Sequence, residues 1–103
     1  METSIIWTER ALATLDSIFE FYKEKSEYIA IKIINRLYHS ASTLTIFPTA
    51  GVIEPSLEGF PVSFRSLVVE KHFKLIYYID VDRIYIAEVW DTRQNPASLK
   101  VHL

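Results

Sequence analysis

The sequence predicts an α+β domain in which a two-helix hairpin packs on a small antiparallel sheet, with the element order β-α-α-β-β-β. Three observations support this prediction. A short apolar run at residues 4–7 has the composition of a strand. Residues 9–47 carry two stretches with apolar side chains at three- and four-residue steps, the spacing of amphipathic helices. Residues 62–90 contain three segments rich in β-branched and aromatic residues, which favours strands.

The two helices are predicted from their caps and their apolar stripes. Thr8 is a suitable N-cap for the first helix, and its buried side is expected to consist of Leu12, Leu15, Ile18, Phe19 and Tyr22. Ser26 is the expected N-cap of a longer second helix, which we expect to end at Phe47-Pro48. The buried side of that helix is expected to consist of Ile29, Ala30, Ile33, Ile34, Leu37, Ala41 and Leu44. Because only two or three residues connect the helices, they must lie antiparallel.

An irregular stretch follows the second helix, because prolines and glycines recur in it: Pro48, Gly51, Pro55, Gly59 and Pro61. We expect an ordered connector rather than a flexible linker. Its bulky side chains can dock on the core, and they are Val52, Ile53, Leu57 and Phe60.

Three strands are predicted at residues 62–69, 72–79 and 83–90, and the tight connection at residues 80–82 makes the last two an antiparallel hairpin. In the middle strand, alternation places Phe73, Leu75, Tyr77 and Ile79 against the helices. The other set, His72, Lys74, Ile76 and Tyr78, is expected on a partly solvated outer face. In the last strand Ile84, Ile86 and Trp90 fall on one side and Tyr85, Ala87 and Val89 on the other. Both sides are apolar, so the pattern leaves the orientation of this strand undecided.

Composition excludes several classes of function. A chain of 103 residues that is half hydrophobic predicts one folded domain over residues 1–103. The absence of cysteine excludes disulfides and thiolate zinc sites, and two glycines cannot form a glycine-rich phosphate loop. His39, His72 and His102 share no ligand spacing, so we expect neither a metal nor a cofactor. A net charge of −2 argues against a dedicated nucleic-acid binder. Without an apparent membrane span or signal peptide, we expect a cytoplasmic protein that makes no membrane contact.

The candidate functional residues are cations in the sheet half of the chain: Arg65, Lys71, His72, Lys74, Arg83 and Arg93. One interpretation is that they converge on an open face and bind an anionic group or stabilise an oxyanion. The other is that they pair with neighbouring acids such as Glu70, Glu88 or Asp91, or are solvated. The pattern alone favours the second interpretation. The polar segment at residues 90–96 is ambiguous in the same way, because Asp91 can either hold Arg93 or cap a turn.

Several motifs taken together indicate a family. They are the segment Trp7-Thr8-Glu9-Arg10-Ala11 before the hairpin, Phe47-Pro48 with Gly51, the strand segment Phe64-Arg65-Ser66-Leu67-Val68, the segment at residues 72–78, and the segment at residues 89–96. In their order and spacing, from about residue 5 to residue 99, the chain resembles the RelE/ParE superfamily of type II toxin–antitoxin toxins, often labelled plasmid stabilisation proteins. The fold of that superfamily, a small antiparallel sheet against a two-helix hairpin, agrees with the pattern described above.

The resemblance implies partners. A toxin of this superfamily is neutralised by an antitoxin encoded beside it, which covers apolar side chains on the toxin surface. We expect Ile76, Tyr78 and Trp90 to be such antitoxin-binding residues. A homodimer and a toxin–antitoxin hetero-oligomer are both compatible with the resemblance.

The resemblance leaves the activity open. RelE-like members cleave messenger RNA on the ribosome, and the matching catalytic candidates here are Arg65, Lys74, Arg93 and His102. ParE-like members inhibit DNA gyrase. The long hairpin, the negative net charge and the presence of Lys74 where RelE-like members usually carry arginine slightly favour gyrase inhibition. A degenerate toxin that retains only antitoxin binding is the third alternative, so it stays undecided whether the protein is an enzyme.

Overall fold

The structure, a computed structural model, describes residues 3–94 and 98–101. Its elements are β1 (Ser4–Trp7), α1 (Glu9–Lys23), α2 (Glu27–Thr43), β2 (Val52–Ile53), a 3₁₀ helix (Pro55–Leu57), β3 (Arg65–Val69), β4 (Phe73–Asp80) and β5 (Arg83–Asp91). The predicted α+β class is confirmed. The predicted connector contains two short elements that its prolines and glycines did not indicate, β2 and the 3₁₀ helix. No helix in the described ranges is long and apolar enough to cross a membrane.

Both predicted helix starts are confirmed by side-chain caps. The hydroxyl of Thr8 accepts a hydrogen bond from the amide of Ala11, and the hydroxyl of Ser26 accepts one from the amide of Ile29. The second helix ends at Thr43 rather than at Phe47. Its last turns tighten into bonds between residues three apart, and hydroxyls of the Ser/Thr-rich segment at residues 42–45 bond to carbonyls three positions earlier. The expected burial of Leu12 and Ile29 is wrong, because each is about 45% exposed.

The sheet has five strands in the order β1-β5-β4-β3-β2. The neighbouring pairs among β2, β3, β4 and β5 are antiparallel, whereas β1 runs parallel to β5 with Ser4 opposite Arg83 and Trp7 opposite Ile86. The predicted antiparallel sheet is therefore a mixed sheet. The first and last strands can pair in parallel because residues 8–82 form the long crossover connection that a parallel pair needs.

One face of the sheet packs against the helical hairpin. Helix residues in this core are Ala11, Leu15, Leu37, Ala41 and Leu44, and strand residues are Val69, Phe73, Leu75, Tyr77, Ile84, Ile86 and Val89. The predicted alternation along β4 is thus confirmed for Phe73, Leu75 and Tyr77. This core fixes the orientation of both helices relative to the ends of β4 and β5.

The outer face of the sheet is covered as well, contrary to the expected partly solvated face. Ile76 is fully buried and Trp90 is 9% exposed. They form a second apolar cluster with Leu57, Phe64, Ala87 and Val101, against which Val62, Tyr78 and Leu99 also pack. The covering segments are the connector before β3 and residues 98–101, and neither has a strand or helix pattern from which this contact could be inferred.

A β-bulge settles the orientation of β5. Ile76 pairs with Glu88 and its neighbour Tyr77 pairs with Ile86, so Ala87 is the extra residue. Beyond the bulge, Val89 lies in the helix-side core and Trp90 in the outer cluster. The expected grouping of Trp90 with Ile84 and Ile86 is wrong for this reason.

Candidate functional site

Arg65 belongs to a polar clamp that holds the start of the connector. Its Nη1 donates to the carbonyl oxygen of Gly51 at 2.8 Å. The hydroxyl of Tyr77, which lies opposite Arg65 on β4, accepts from the amide of Gly51 at 2.8 Å and donates to the carbonyl of Pro48 at 2.8 Å. Burial raises the pKa of the Tyr77 hydroxyl, so this hydroxyl stays protonated at physiological pH and can donate to Pro48. Arg65 therefore serves the structure of this loop.

Lys74 lies on the outer face and pairs with a buried acid. Its Nζ is 3.1 Å from Oε1 of Glu54, whose side chain is only 2% exposed. The other carboxylate oxygen of Glu54 accepts from the amide of Ser56 and caps the 3₁₀ helix. Burial raises the pKa of Glu54, but the Lys74 ammonium and the Ser56 amide outweigh it, so the net pKa is lowered. The Glu54 carboxylate is therefore charged at neutral pH and forms a salt bridge with the Lys74 ammonium.

Arg93 follows β5 and is bound to Asp91 through two parallel hydrogen bonds. Its Nε lies 2.9 Å from Oδ1 of Asp91 and its Nη2 lies 2.8 Å from Oδ2. Nη2 also approaches the hydroxyl of Tyr22 on α1 at 3.3 Å. The Arg93 hydrogen bonds lower the pKa of Asp91 despite its partial burial. This fork geometry is the strong form of the arginine–carboxylate pair.

The three described cations lie in separate places. Arg65 is opposite Tyr77, whereas Arg93 follows Asp91, which is opposite Phe73. Tyr77 is four residues beyond Phe73 along the strand, which corresponds to roughly 13 Å at the usual rise. Lys74 points to the outer face, away from both. The structure does not bring these predicted catalytic residues together, and His102 lies outside the described residues.

The predicted antitoxin-binding residues are less accessible than expected. Ile76 is fully buried and Trp90 nearly so, because the connector and residues 98–101 cover them. Tyr78 is half-buried and stacks on Tyr85, with ring centroids 5.0 Å apart. The expectation that all three are exposed is therefore wrong for Ile76 and Trp90, and Tyr78 alone offers part of its ring to a partner.

One group of exposed apolar side chains lies at the β2 edge and in the loop before it. Ile46 and Phe47 in the loop, Val52 and Ile53 on β2 and Val68 on β3 are all between 48% and 73% exposed. β2 pairs only with Arg65 and Ser66, although β3 continues to Val69. This region, defined by those five apolar residues, is the β2-edge patch. Strand patterning missed it because β2 is only two residues long.

A cleft of about 380 Å³ lies between α1, the start of β4 and the end of β5. Its floor includes Glu88, which accepts hydrogen bonds from the hydroxyl of Thr14, from Nε of Arg10 and from the amide of Val89. Arg10 also donates to the carbonyl of Lys100 and so ties residues 98–101 to α1. The sequence signal for this network was a lone acid within the apolar strand β5.

The described residues contain no group of three or more histidine, aspartate or glutamate side chains placed to hold a metal ion. The acids that are buried, Glu54 and Glu88, are engaged by Lys74 and Arg10.

Comparison with known proteins identifies the family. The family described as "ParE toxin of type II toxin-antitoxin system, parDE" matches residues 5–96. Among solved structures, a chain of the chromosomal ParDE TA system from P. aeruginosa is similar in fold, with a TM-score of 0.72 and 23% identity over 87% of this chain and 96% of that one. No curated protein matches the sequence. Since the family match spans nearly the whole chain, this protein belongs to the ParE toxin family of type II toxin–antitoxin systems.

Proposed function

We propose that this ParE-family toxin inhibits DNA gyrase, is neutralised by a cognate antitoxin and does not cleave RNA. The observation that carries the proposal is the separation of Arg65, Lys74 and Arg93, each engaged by a group of the chain itself. A nuclease needs its cations gathered around one phosphate, where charge develops in the transition state. The net charge of −2 also gives little long-range attraction to ribosomal RNA.

The target is tested by inducing the toxin without antitoxin and following plasmid topology and total RNA in the same culture. We expect relaxed or broken DNA while messages persist, and loss of supercoiling when the purified chain is added to gyrase. Early loss of translated messages with intact DNA would overturn the proposal in favour of a RelE-like nuclease. Normal growth with folded protein would overturn it in favour of a degenerate toxin.

Variants separate the two activities. Lys74→Ala and Arg93→Ala would abolish a nuclease, and Arg83→Ala is the matched control because Arg83 is an exposed cation at the far end of β5. For a gyrase inhibitor that does not use these cations in catalysis, we expect supercoiling inhibition by Lys74→Ala to stay within a few-fold of that by Arg83→Ala.

For the antitoxin we propose docking on the β2-edge patch, extended by the accessible part of Tyr78. Exposed apolar side chains beside an incompletely paired strand suit a partner that adds a strand and inserts alternate side chains. We expect Val52→Asp to keep toxicity and lose rescue by the antitoxin. Val81→Asp is the control, because Val81 is 87% exposed but lies in the hairpin between β4 and β5. Equal rescue of both variants would place the antitoxin elsewhere.

A further inference from the structure

The cleft between α1, the start of β4 and the end of β5 has an apolar wall that is partly exposed to solvent. Ile18, Phe21, Tyr22 and Phe73 line it, and Phe21 is 56% exposed. Phe21 and Tyr22 meet edge to face with ring centroids 5.1 Å apart, and Tyr22 and Phe73 do so at 6.5 Å. A volume of about 380 Å³ is in the range of small-ligand sites.

Most polar groups of the cleft are already satisfied. Thr14 donates its proton to Glu88, whose two oxygens are occupied, and Ser17 donates to the carbonyl of Ala13. Both oxygens of Asp91 accept from Arg93. The carboxylates that line the cleft, those of Glu88 and Asp91, thus accept hydrogen bonds from within the chain, and a ligand gains little by donating to them.

Two donors of the cleft remain available to a ligand. The Tyr22 oxygen accepts from Nη2 of Arg93, so its own proton is available to a ligand. Within residues 3–94 and 98–101, Nη1 of Arg93 has no acceptor, and the Arg93 side chain is 53% exposed. Both donors lie beside the apolar wall.

The charged side chains of the cleft also favour an anionic ligand. The pairs Arg93–Asp91 and Arg10–Glu88 cancel within themselves. Lys25 lies close by, with its Nζ 4.9 Å from the centroid of the Phe21 ring. An anion that enters the cleft therefore meets a guanidinium edge that can bind it.

We propose that this cleft binds a carboxylate carried on an aromatic or aliphatic group, with Arg93 and Tyr22 holding the carboxylate and the Phe21–Tyr22–Phe73 wall holding the apolar part. Such a group is either a free small acid or an acidic side chain next to a bulky residue in a protein segment. The site is separate from the β2-edge patch and does not depend on the identity of the toxin's target.

The test is an NMR titration of the ¹⁵N-labelled chain with 3-phenylpropionate and with its neutral amide, followed at Tyr22, Phe73 and the Arg93 side chain. We expect the acid to bind about tenfold or more tightly than the amide, the effect of a charge-assisted pair of hydrogen bonds. A second pair of probes, the blocked peptides acetyl-Leu-Glu-Phe-amide and acetyl-Leu-Gln-Phe-amide, distinguishes a protein segment from a small acid. Tighter binding of the Glu peptide than of 3-phenylpropionate indicates a protein segment, and the reverse order indicates a small acid. Equal affinity for acid and amide, or no binding of any probe, would overturn the proposal.

Two variants give shifts of opposite sign. Arg93→Gln should weaken binding of the acid about tenfold, whereas Asp91→Asn should strengthen it several-fold, because it removes the competing carboxylate from the Arg93 fork. A purely structural role of the pair predicts weaker binding in both variants, and that result would count against the site. Arg83→Gln, which changes an exposed arginine outside the cleft, is the control and should leave the affinity unchanged.

Discussion

Gly51 tolerates no side chain because the polar clamp closes around it. A Cβ at this position would lie 2.7 Å from the carbonyl oxygen of Ser66 and 2.8 Å from the ring and hydroxyl of Tyr77. Both neighbours belong to strands and cannot move freely. We expect Gly51→Ala to lower the free energy of unfolding by about 2 kcal/mol or more, as measured by urea unfolding, because it combines overpacking with a weakened Tyr77 hydrogen bond.

Gly59 is the matched control for that substitution. It has a φ of +95°, but no heavy atom of the described residues beyond its chain neighbours lies within 4 Å of the position that an added Cβ would occupy, so Gly59→Ala adds backbone strain without a clash. We expect a smaller loss, about 1 kcal/mol. An equal or smaller effect of Gly51→Ala would mean that the clamp yields easily.

Val81 is a β-branched residue held in the left-handed region, with φ of 58° in the hairpin between β4 and β5. Its side chain is 87% exposed, so it gains little packing in return for that strain. We expect Val81→Asn to raise the free energy of unfolding by about 1 kcal/mol, because asparagine tolerates this conformation. Val81→Ile keeps the branch and should leave stability unchanged in the same urea titration. A loss of stability in Val81→Asn would show that the strain is not there to be relieved.

At the scale of the elements, the two N-cap residues differ in the hydrogen bonds that they form beyond their own helix. Thr8 accepts from the amide of Ala11 and also donates to the carbonyl of Ile86 at 2.9 Å, whereas Ser26 only caps its own helix. An N-cap contributes about 1 kcal/mol, and a tertiary hydrogen bond adds about 1 kcal/mol more. We expect Thr8→Ala to destabilise the protein about twice as much as Ser26→Ala in thermal or urea unfolding. Thr8→Ser should recover most of the loss, and equal effects of both alanine variants would contradict the argument.

Local patterns predicted which elements form and the antiparallel hairpin of β4 and β5, but they did not predict the pairing of β1. Apolar spacing and caps located both helices and the three long strands, because those signals depend on near neighbours in sequence. Nothing in Ser4–Trp7 specifies a parallel partner 79 residues later, as in the pairing of Ser4 with Arg83. The bulge at Ala87 reversed the orientation of Trp90, since strict alternation cannot anticipate an inserted residue.

The candidate site was partly within reach of the sequence. Alternation along β4 correctly set Lys74 on the face opposite Phe73 and Tyr77, and pairing of the cations with acids was the favoured interpretation, which holds for Lys74 and Arg93. The partner of Lys74 is Glu54, however, which lies in the connector. Its contact depends on how an irregular segment folds over the sheet, and no periodicity encodes that.

For the whole molecule, the lowered pKa values of Glu54 and Asp91 predict loss of stability in acid. Each carboxyl has a folded pKa below its unfolded value, so its contribution is complete above the ordinary values of 4.5 and 3.8 and is lost as the pH falls through the folded pKa. We expect little change between pH 7 and about pH 5 from these groups and a falling free energy of unfolding below that. Urea unfolding at pH 7 and at pH 3.5 measures the difference.

Glu54→Gln assigns part of this acid effect to the buried pair. The variant should be less stable than the parent at pH 7, since Lys74 loses its ionic partner, and should show a smaller further loss on going to pH 3.5. Glu20→Gln, which changes an exposed acid on α1, should retain the full pH dependence of the parent. An unchanged pH dependence in Glu54→Gln would assign the acid effect to other groups.

The parallel pairing of β1 with β5 also determines the order in which the sheet can assemble during synthesis of the chain. The hydroxyl of Thr8 bonds to the carbonyls of Ile86 and Ala87, 78 and 79 positions further along the chain. During synthesis the first strand and the cap of α1 must wait for the last strand, and the long loop that separates them makes this closure slow relative to the hairpins. A nascent chain that stops before β5 leaves β1 without its neighbour in the sheet and β4 paired on one side only, with β3. The toxin therefore acquires its native surface only after β5 has been translated, and a chain that stops earlier does not present that surface.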